Sequence, residues 1–227
     1  MTVATELKQL RKLERIRLIA QRVTVTGADR AQWNKAITRH LIDQFPLPQR
    51  QVIGCYWPFR GEFDPRFAMH YLQSRGAKLA LPRVAQRNMP LQFRQWWPGA
   101  PMSVDLFDLP SPDNTPIVTP QALIIPVVGI DSNGFRLGYG GGYFDRTLAV
   151  MAPPPLKIAV GYELSRVATI HPQAHDIAMD FLVTEAGVQC FSRADLPDDD
   201  RDEPHQYARP PVMRTNSNDY PHGYTQH

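Results

Sequence analysis

Two cysteines, Cys55 and Cys190, are all that the 227 residues contain. That excludes a disulfide framework, and the spacing matches no metal site. Both stand in apolar runs and read as small core residues. Long apolar runs are also lacking. None approaches the ~18–20 residues that cross a bilayer, and the N-terminus has no apolar signal core. A cytoplasmic chain that avoids membranes is the expectation. Charge of one sign is scarce: a net of +3 is too little for a protein that coats nucleic acid. His175-Asp176 supplies two members of a hydrolytic triad, but no serine stands in a nucleophile-elbow context. No internal repeat is evident.

What is present is a chain 43% hydrophobic, enough for one sizeable core or two small ones. Its charge is uneven. Residues 193–227 hold four Arg against six Asp and one Glu, a net of −3, which leaves +6 on residues 1–192. A basic body suits an anionic ligand.

Leu7, Leu10, Leu13 and Ile16 recur at helical spacing between Thr5 and Val23, continued by Ile19 and Ala20. This predicts a helix with that stripe inward. Lys8, Arg11, Lys12, Arg15, Arg17 and Arg22 take the other side, ordinarily a solvated face. Thr26–Asp29 reads as a turn with Asp29 as N-cap. Trp33, Ile37, Leu41 and Phe45 then mark a second helix, closed by Pro46 and Pro48. Val52–Trp57 has β character. Asp64-Pro65 opens a third helix through Tyr71, with Gly76 beyond its end. Lys78–Pro82, Leu91–Gln95, Ile158–Tyr162 and Phe181–Thr184 read as strands, and residues 96–120 as irregular. The alternation predicts an α/β fold: a single three-layer domain, residues 1–192, with a largely parallel sheet flanked by helices. Residues 193–227, charged, Pro-rich and poor in large aliphatics, read as a disordered tail.

The most informative stretch runs from Ala122 to Ala149. The apolar run Ala122–Val128 predicts a buried, central strand. The turn cluster Asp131-Ser132-Asn133-Gly134 follows, then Arg136 and a run of Gly138, Gly140, Gly141 and Gly142. Tyr143, Phe144, Asp145 and Arg146 open a helix expected to run through about Val150, before Pro153-Pro154-Pro155. Glycines between a strand and a helix let backbone N–H groups converge on an anion, and the helix N-terminus adds partial positive charge. Arg136 and Arg146 offer planar forks for phosphate oxygens. Asp145 suits magnesium beside phosphate. A flexible loop with a capping Asp is the alternative. The Lys-Ser/Thr ending of a P-loop is missing, and Tyr143 stands where a dinucleotide fingerprint needs glycine.

Arg136-Leu137-Gly138-Tyr139-Gly140-Gly141-Gly142-Tyr143-Phe144-Asp145 resembles the signature of the 5-formyltetrahydrofolate cyclo-ligases, also called methenyltetrahydrofolate synthetases. Their pattern is R-L-G-x-G-x-G-Y-[YF]-D behind an apolar strand. Some members carry Lys where this chain has Gly141. The resemblance spans roughly residues 6–190 and implies roles for further residues. Counting back from Thr26, Arg11 and Arg15 fall where the family has a basic pair that reaches nucleotide phosphates; Lys8 competes for that register, and Lys12 lies beside it. Glu14 stands where the family prefers an apolar residue. Glu62, after the strand ending at Trp57, matches an acid that binds the pterin end of folate. A carboxylate can accept two adjacent pterin N–H bonds. Trp57 falls where an apolar side chain lines that pocket; core packing is its alternative. Asp176 in His175-Asp176-Ile177-Ala178-Met179-Asp180 matches a magnesium-site Asp. Segment 106–113 departs from the family, with Leu-Pro and Ser-Pro in place of Glu-Pro.

The implied reaction converts 5-formyltetrahydrofolate and ATP to 5,10-methenyltetrahydrofolate, ADP and phosphate, in a monomeric enzyme with Mg2+. The expected ATP-binding residues are Arg11, Lys12, Arg15, Arg136, Leu137, Gly138, Tyr139, Gly140, Gly141, Gly142, Tyr143 and Phe144. Trp57, Glu62, Tyr139, Gly140, Gly141, Gly142 and Tyr143 are expected to hold folate. Arg136 and Tyr143 carry the catalytic assignment, and Asp145 and Asp176 the metal. The family resembles sugar-phosphate isomerases and CoA transferases in architecture, a rival that fold alone does not decide, and two further rivals stand beside it. One is a non-catalytic relative that binds folate or nucleotide, although Glu62, Asp145 and Asp176 are intact. The other is a single-strand nucleic-acid binder using the basic helix, Trp96-Trp97 and Tyr220, although no RNA motif is present.

Overall fold

A computed structural model describes residues 3–45 and 52–191. The expected stop at Pro46 and Pro48 and the tail 193–227 lie outside the described residues.

Helix α1 spans Val3–Val23 and helix α2 Gly27–Gln44. The N-cap of α2 is Thr26, not Asp29. Thr26 Oγ1 accepts from the Asp29 amide at 3.1 Å and donates to the Asp29 carboxylate at 2.7 Å. The hydroxyl wins the cap because it sits one residue before the helix, and Asp29 returns its bond from within the first turn. Strand β1 is Val52–Gly54 and helix α3 Arg66–Ser74. Asp64 accepts from the Arg66 amide at 3.1 Å, so α3 starts just past Pro65, and it outlasts Tyr71 by three residues. Strands β2 (Lys78–Arg83) and β3 (Gln92–Trp96) follow. Residues 96–120 are not wholly irregular: β4 (Met102–Val104) and β5 (Pro110–Pro112) form a small hairpin. Arg83 Nη1 holds it by donating to the hydroxyls of Ser103 and Ser111 at 2.8 and 2.9 Å.

Strand β6 is Ala122–Pro126, followed by the two-residue strands β7 (Gly129–Ile130) and β8 (Arg136–Leu137). Helix α4 is Tyr143–Val150. The chain closes with β9 (Leu156–Val160), β10 (Phe181–Thr184) and β11 (Gly187–Cys190). Nothing in the alternation of residues 187–190 marked β11, and Cys190 on it is exposed rather than part of the core.

Among the described residues, seven strands form one sheet in the order β11-β10-β9-β6-β1-β2-β3. The inner pairs are parallel and the two edge strands antiparallel. β6 is central, as its unbroken apolar run requires. Alternate residues of β6 feed two cores. Ile124 packs with Ile37, Leu41 and Met69 from α2 and α3, while Leu123 and Ile125 pack with Leu148 of α4. Helices therefore cover both faces, giving three layers. A third, smaller cluster joins Leu18 of α1 to Val128, Leu137 and Ile170.

α1 is turned relative to the expectation. Leu10, Leu13 and Ile16 are each more than half exposed, whereas Leu18 and Arg22 are buried. The apolar stripe faces out, and part of the basic face looks in. Buried carbonyl and carboxylate partners make that orientation favourable, as the site shows. Among the described residues no helix is long and apolar enough to cross a membrane.

Candidate active site

β6 ends at the mouth of the sheet, where α/β folds gather ligands. Beyond it, the β7–β8 ribbon turns on Asp131. One oxygen of Asp131 accepts from the amides of Asn133 and Phe135, and the other from the amide of Ile170. β8 then delivers Arg136, 5% exposed, into the site. Arg136 Nη1 donates to Asp145 Oδ1 at 3.1 Å and to the Ile177 carbonyl at 3.3 Å. Its guanidinium lies over the Phe144 ring, 5.7 Å from the centroid. Burial lowers the Arg136 pKa, and the adjacent Asp145 carboxylate opposes that shift.

The glycine loop is gripped by two arginines. Arg15 Nε donates to the Gly138 carbonyl at 2.8 Å, and Arg146 donates to the Gly141 carbonyl. In a trans peptide the N–H points opposite to the C=O. Holding these carbonyls therefore aims the amides of Tyr139 and Gly142 away from the two guanidiniums. Gly140 and Gly142 take φ of +95° and +63°, conformations that cost little only without a Cβ. Gly142 is the N-cap of α4, so the loop ends on the positive pole of a helix. Arg146 also stacks on Tyr143, 4.9 Å from its ring centroid, and Phe107 of the β4–β5 hairpin meets the same ring edge-on at 5.5 Å.

α1 lays its basic residues along this loop. Arg11 grips Asp176 with two bonds, at 2.7 and 3.1 Å, and Asp176 also accepts from the Gln173 amide at 2.7 Å. Burial pushes the Asp176 carboxyl up, but the Arg11 and amide bonds outweigh it and hold it below the usual range. Four residues on, Arg15 shares the same face. Lys8 and Lys12 are exposed. Glu14 pairs with Arg17 at 2.6 Å on the surface.

Glu62 comes from a tight turn, Phe59-Arg60-Gly61-Glu62, with positive φ at both central residues. The Glu62 amide donates to the Phe59 carbonyl, and the Phe59 amide returns a 2.9 Å bond to Glu62 Oε2. Tyr139 Oη donates to Glu62 Oε1 at 3.1 Å. The carboxylate is 7% exposed, so it is no solvated loop acid. Burial raises its pKa to about 7, against the pull of Arg22 and its hydrogen bonds. Trp57 is half-buried, packed on the α2–α3 core and under the Arg66 guanidinium, 5.5 Å from the ring centroid.

The structure thus links Arg15 to the glycine loop, Arg11 to Asp176 and Arg136 to Asp145, and joins Tyr139 of the same loop to Glu62. Asp145 and Asp176 are adjacent through the Ile177 amide, which donates to Asp145 Oδ1 at 3.2 Å. Sequence reasoning passed over Arg22, which it left on the solvated face. The signal was available: Arg22 follows Arg11 by eleven residues, three helical turns. Of the aromatics considered for nucleic acid, Trp96 is buried in the core, and Tyr220 lies outside the described residues.

The chain is similar to known proteins in sequence and in fold. A 5-formyltetrahydrofolate cyclo-ligase from Haemophilus influenzae is 26% identical over 170 residues, covering 71% of this chain and 91% of that protein. One from Mycolicibacterium smegmatis is 30% identical over 144 residues, 59% of this chain and 73% of its own length. The solved structure of Aquifex aeolicus 5,10-methenyltetrahydrofolate synthetase is similar in fold, with a TM-score of 0.69 at 24% identity, covering 86% of this chain and all of that one. Residues 7–185, which carry every side chain placed around the loop, match the model of the 5-formyltetrahydrofolate cyclo-ligase family, and the chain belongs to that family.

Proposed function

We propose that the chain catalyses ATP-dependent cyclisation of 5-formyltetrahydrofolate to 5,10-methenyltetrahydrofolate, releasing ADP and phosphate. One observation carries the reading beyond family membership. Tyr139 hydrogen-bonds the buried Glu62, while the carbonyl of the preceding residue, Gly138, is held by Arg15. A carboxylate suited to a pterin and a basic loop suited to phosphates therefore share one short segment, as a reaction between the two substrates requires.

The formyl oxygen of the substrate is a poor leaving group. Its attack on the γ-phosphorus releases ADP and makes a phosphorylated formyl group. N10 of the same folate then attacks the formyl carbon, phosphate departs with the oxygen, and N10 loses its proton. Little covalent chemistry is asked of the protein; alignment and charge neutralisation do most of the work. In this reading Arg11 and Arg136 neutralise the polyphosphate, Arg15 holds the Gly138 carbonyl so that the loop keeps its shape, and the amides of Tyr139 and Gly142 meet the phosphate oxygens. Glu62 receives the pterin, and Tyr143 packs between Arg146 and Phe107 to wall the reacting end.

Among the described residues no cluster of three or more His, Cys, Asp or Glu is placed to hold a metal ion. The carboxylates beside the loop fit magnesium unequally. Asp145 takes its bonds from Arg136 and Ile177 on one oxygen, leaving Oδ2 for a hard cation. Both oxygens of Asp176 are engaged by Arg11. Asp145 would hold Mg2+ directly, with phosphate oxygens completing the site, and Asp176 would act there through Arg11. The ion would supply further neutralisation of the phosphates.

The test is ATP-dependent growth of the methenyl chromophore from 5-formyltetrahydrofolate. Its appearance with stoichiometric ADP is the expected result. Binding of both ligands without turnover would make the chain a non-catalytic relative.

A further inference from the structure

Arg22 is a buried cation outside the proposed phosphate-binding set. At 2% exposure it is among the most buried charged side chains described, and each of its three nitrogens has a partner. Nε donates to the Arg60 carbonyl at 3.1 Å, Nη1 to the Val127 carbonyl at 3.1 Å, and Nη2 to Tyr139 Oη at 2.6 Å. Nη2 also stands 4.0 Å from Glu62 Oε1. One side chain on α1 thus ties the Glu62 turn, the end of β6 and the glycine loop.

Resting on the proposed function, we infer that Arg22 is a positioning residue for folate: through Tyr139 it fixes the Glu62 carboxylate in place for the pterin. The hydrogen bonds give the direction. Tyr139 Oη accepts from Arg22, so its own proton goes to Glu62 Oε1 at 3.1 Å. The phenol stands between cation and carboxylate and fixes one oxygen. The Phe59 amide fixes the other at 2.9 Å. The Arg60 carbonyl, held by Arg22, anchors the turn that carries both Phe59 and Glu62. A buried carboxylate so held is preorganised to receive paired N–H donors. A lysine could not replace the three-way fork, because the guanidinium nitrogens diverge in a fixed plane toward three separate acceptors.

Charge follows position. The groups that face Glu62 are Arg22 from α1, Tyr139 from the glycine loop and Tyr56 from the segment after β1. Arg22 is the one cation among them, and it opposes the burial that favours the protonated acid. Folate binding should therefore strengthen as pH rises through about 7, and loss of Arg22 should move that midpoint higher.

The experiment is isothermal titration of the full chain with 5-formyltetrahydrofolate and, separately, with a non-hydrolysable ATP analogue, between pH 6 and 8.5. Wild type, Arg22→Met, Arg22→Lys and Tyr139→Phe are compared. Arg22→Met and Arg22→Lys should each lose at least tenfold in folate affinity at pH 7 and keep ATP-analogue affinity within about threefold. Arg22→Met should also shift the folate pH midpoint upward. Tyr139→Phe removes one hydroxyl from a half-exposed side chain, so it keeps the inference testable if Arg22→Met fails to fold. It cuts the link to Glu62 and should shift the midpoint the same way, with a smaller loss. Wild-type folate affinity and midpoint in Tyr139→Phe and in the folded Arg22 variants would overturn the inference alone, as would equal losses for both ligands. Absence of folate binding by wild type would overturn the proposed function, and the inference with it.

Discussion

At the scale of single residues, Glu62, proposed to bind folate, is also a structural liability. Its pKa near 7 in the fold lies above the ordinary 4.5 because burial disfavours the charge. The sign of the consequence is fixed. Below about pH 4.5 both folded and unfolded states hold the proton. Between about 4.5 and 7 only the folded state does, so stability falls as pH rises. Above 7 both are ionised, and the full loss, roughly 3 kcal/mol for such a shift, has accrued. Glu62→Gln keeps the shape and can still accept from the Phe59 amide, but it cannot ionise. Chemical unfolding of both proteins from pH 4.5 to 7.5 should show the glutamine variant gaining on wild type by roughly that amount. Two parallel pH profiles would show that Glu62 is not perturbed. The same substitution should weaken 5-formyltetrahydrofolate at least tenfold above pH 7, since an NH₂ donor would face a pterin donor and an unmet buried group costs about 1–3 kcal/mol.

At the scale of elements, α1 separates what the sequence shows from what it hides. Leu18 packs on Val128, Leu137 and Ile170, and Leu18→Ala should cost about 2–5 kcal/mol. Leu13→Gln and Ile16→Gln, on the exposed stripe, should stay within about 0.5 kcal/mol. Thermal melts of the three variants check the helix orientation. Arg15→Ala should raise the KM for ATP or lower kcat, whereas Lys8→Ala should leave both within about twofold; steady-state kinetics on the pair would expose a wrong register. β6 and the glycine loop were legible because local sequence decides them: a two-sided apolar run is central, and clustered glycines before a helix make a tight loop with positive φ at Gly140 and Gly142. The existence of α1 was equally plain from its periodicity. Its rotation was not, because hydropathy counts every arginine as outward. Arg22 points inward only because the Arg60 and Val127 carbonyls and the Tyr139 hydroxyl await it, and those partners come from distant parts of the chain. The partners of Glu62 were hidden for the same reason. β11 and the β4–β5 hairpin escaped because they lack the unbroken apolar or β-branched run that marks the equally short β10: β4 is Met-Ser-Val, β5 Pro-Ser-Pro and β11 Gly-Val-Gln-Cys.

At the scale of the whole molecule, α1 is held to the described body mainly through the two candidate ligand sites. Among its described side chains only Leu18 and Arg22 are buried. By contrast α2 inserts Ile37 and Leu41, and α3 Ala68, Met69 and Leu72, into the main core. Ile19 packs beside Leu18, and the polar ties of α1 include Arg11 to Asp176 and Arg15 to the Gly138 carbonyl on the proposed phosphate side, and Arg22 on the proposed folate side. An element with few buried apolar contacts opens at lower free energy than the global transition. Undocking α1 would dismantle both sites at once, so bound ligands must leave before it opens. Mass action then stabilises its docked state by about 2.7 kcal/mol for a ligand at one hundred times its Kd. Native-state hydrogen exchange should show α1 amides exchanging faster than those of β6 in the free protein. Saturating 5-formyltetrahydrofolate or a non-hydrolysable ATP analogue, each at one hundred times its Kd, should slow α1 exchange by up to about 100-fold. β6 should respond only through the global transition. If α1 exchanges as slowly as β6 without ligand, or its rate ignores both ligands, the helix is a fixed part of the scaffold, and its arginines do not couple binding to docking.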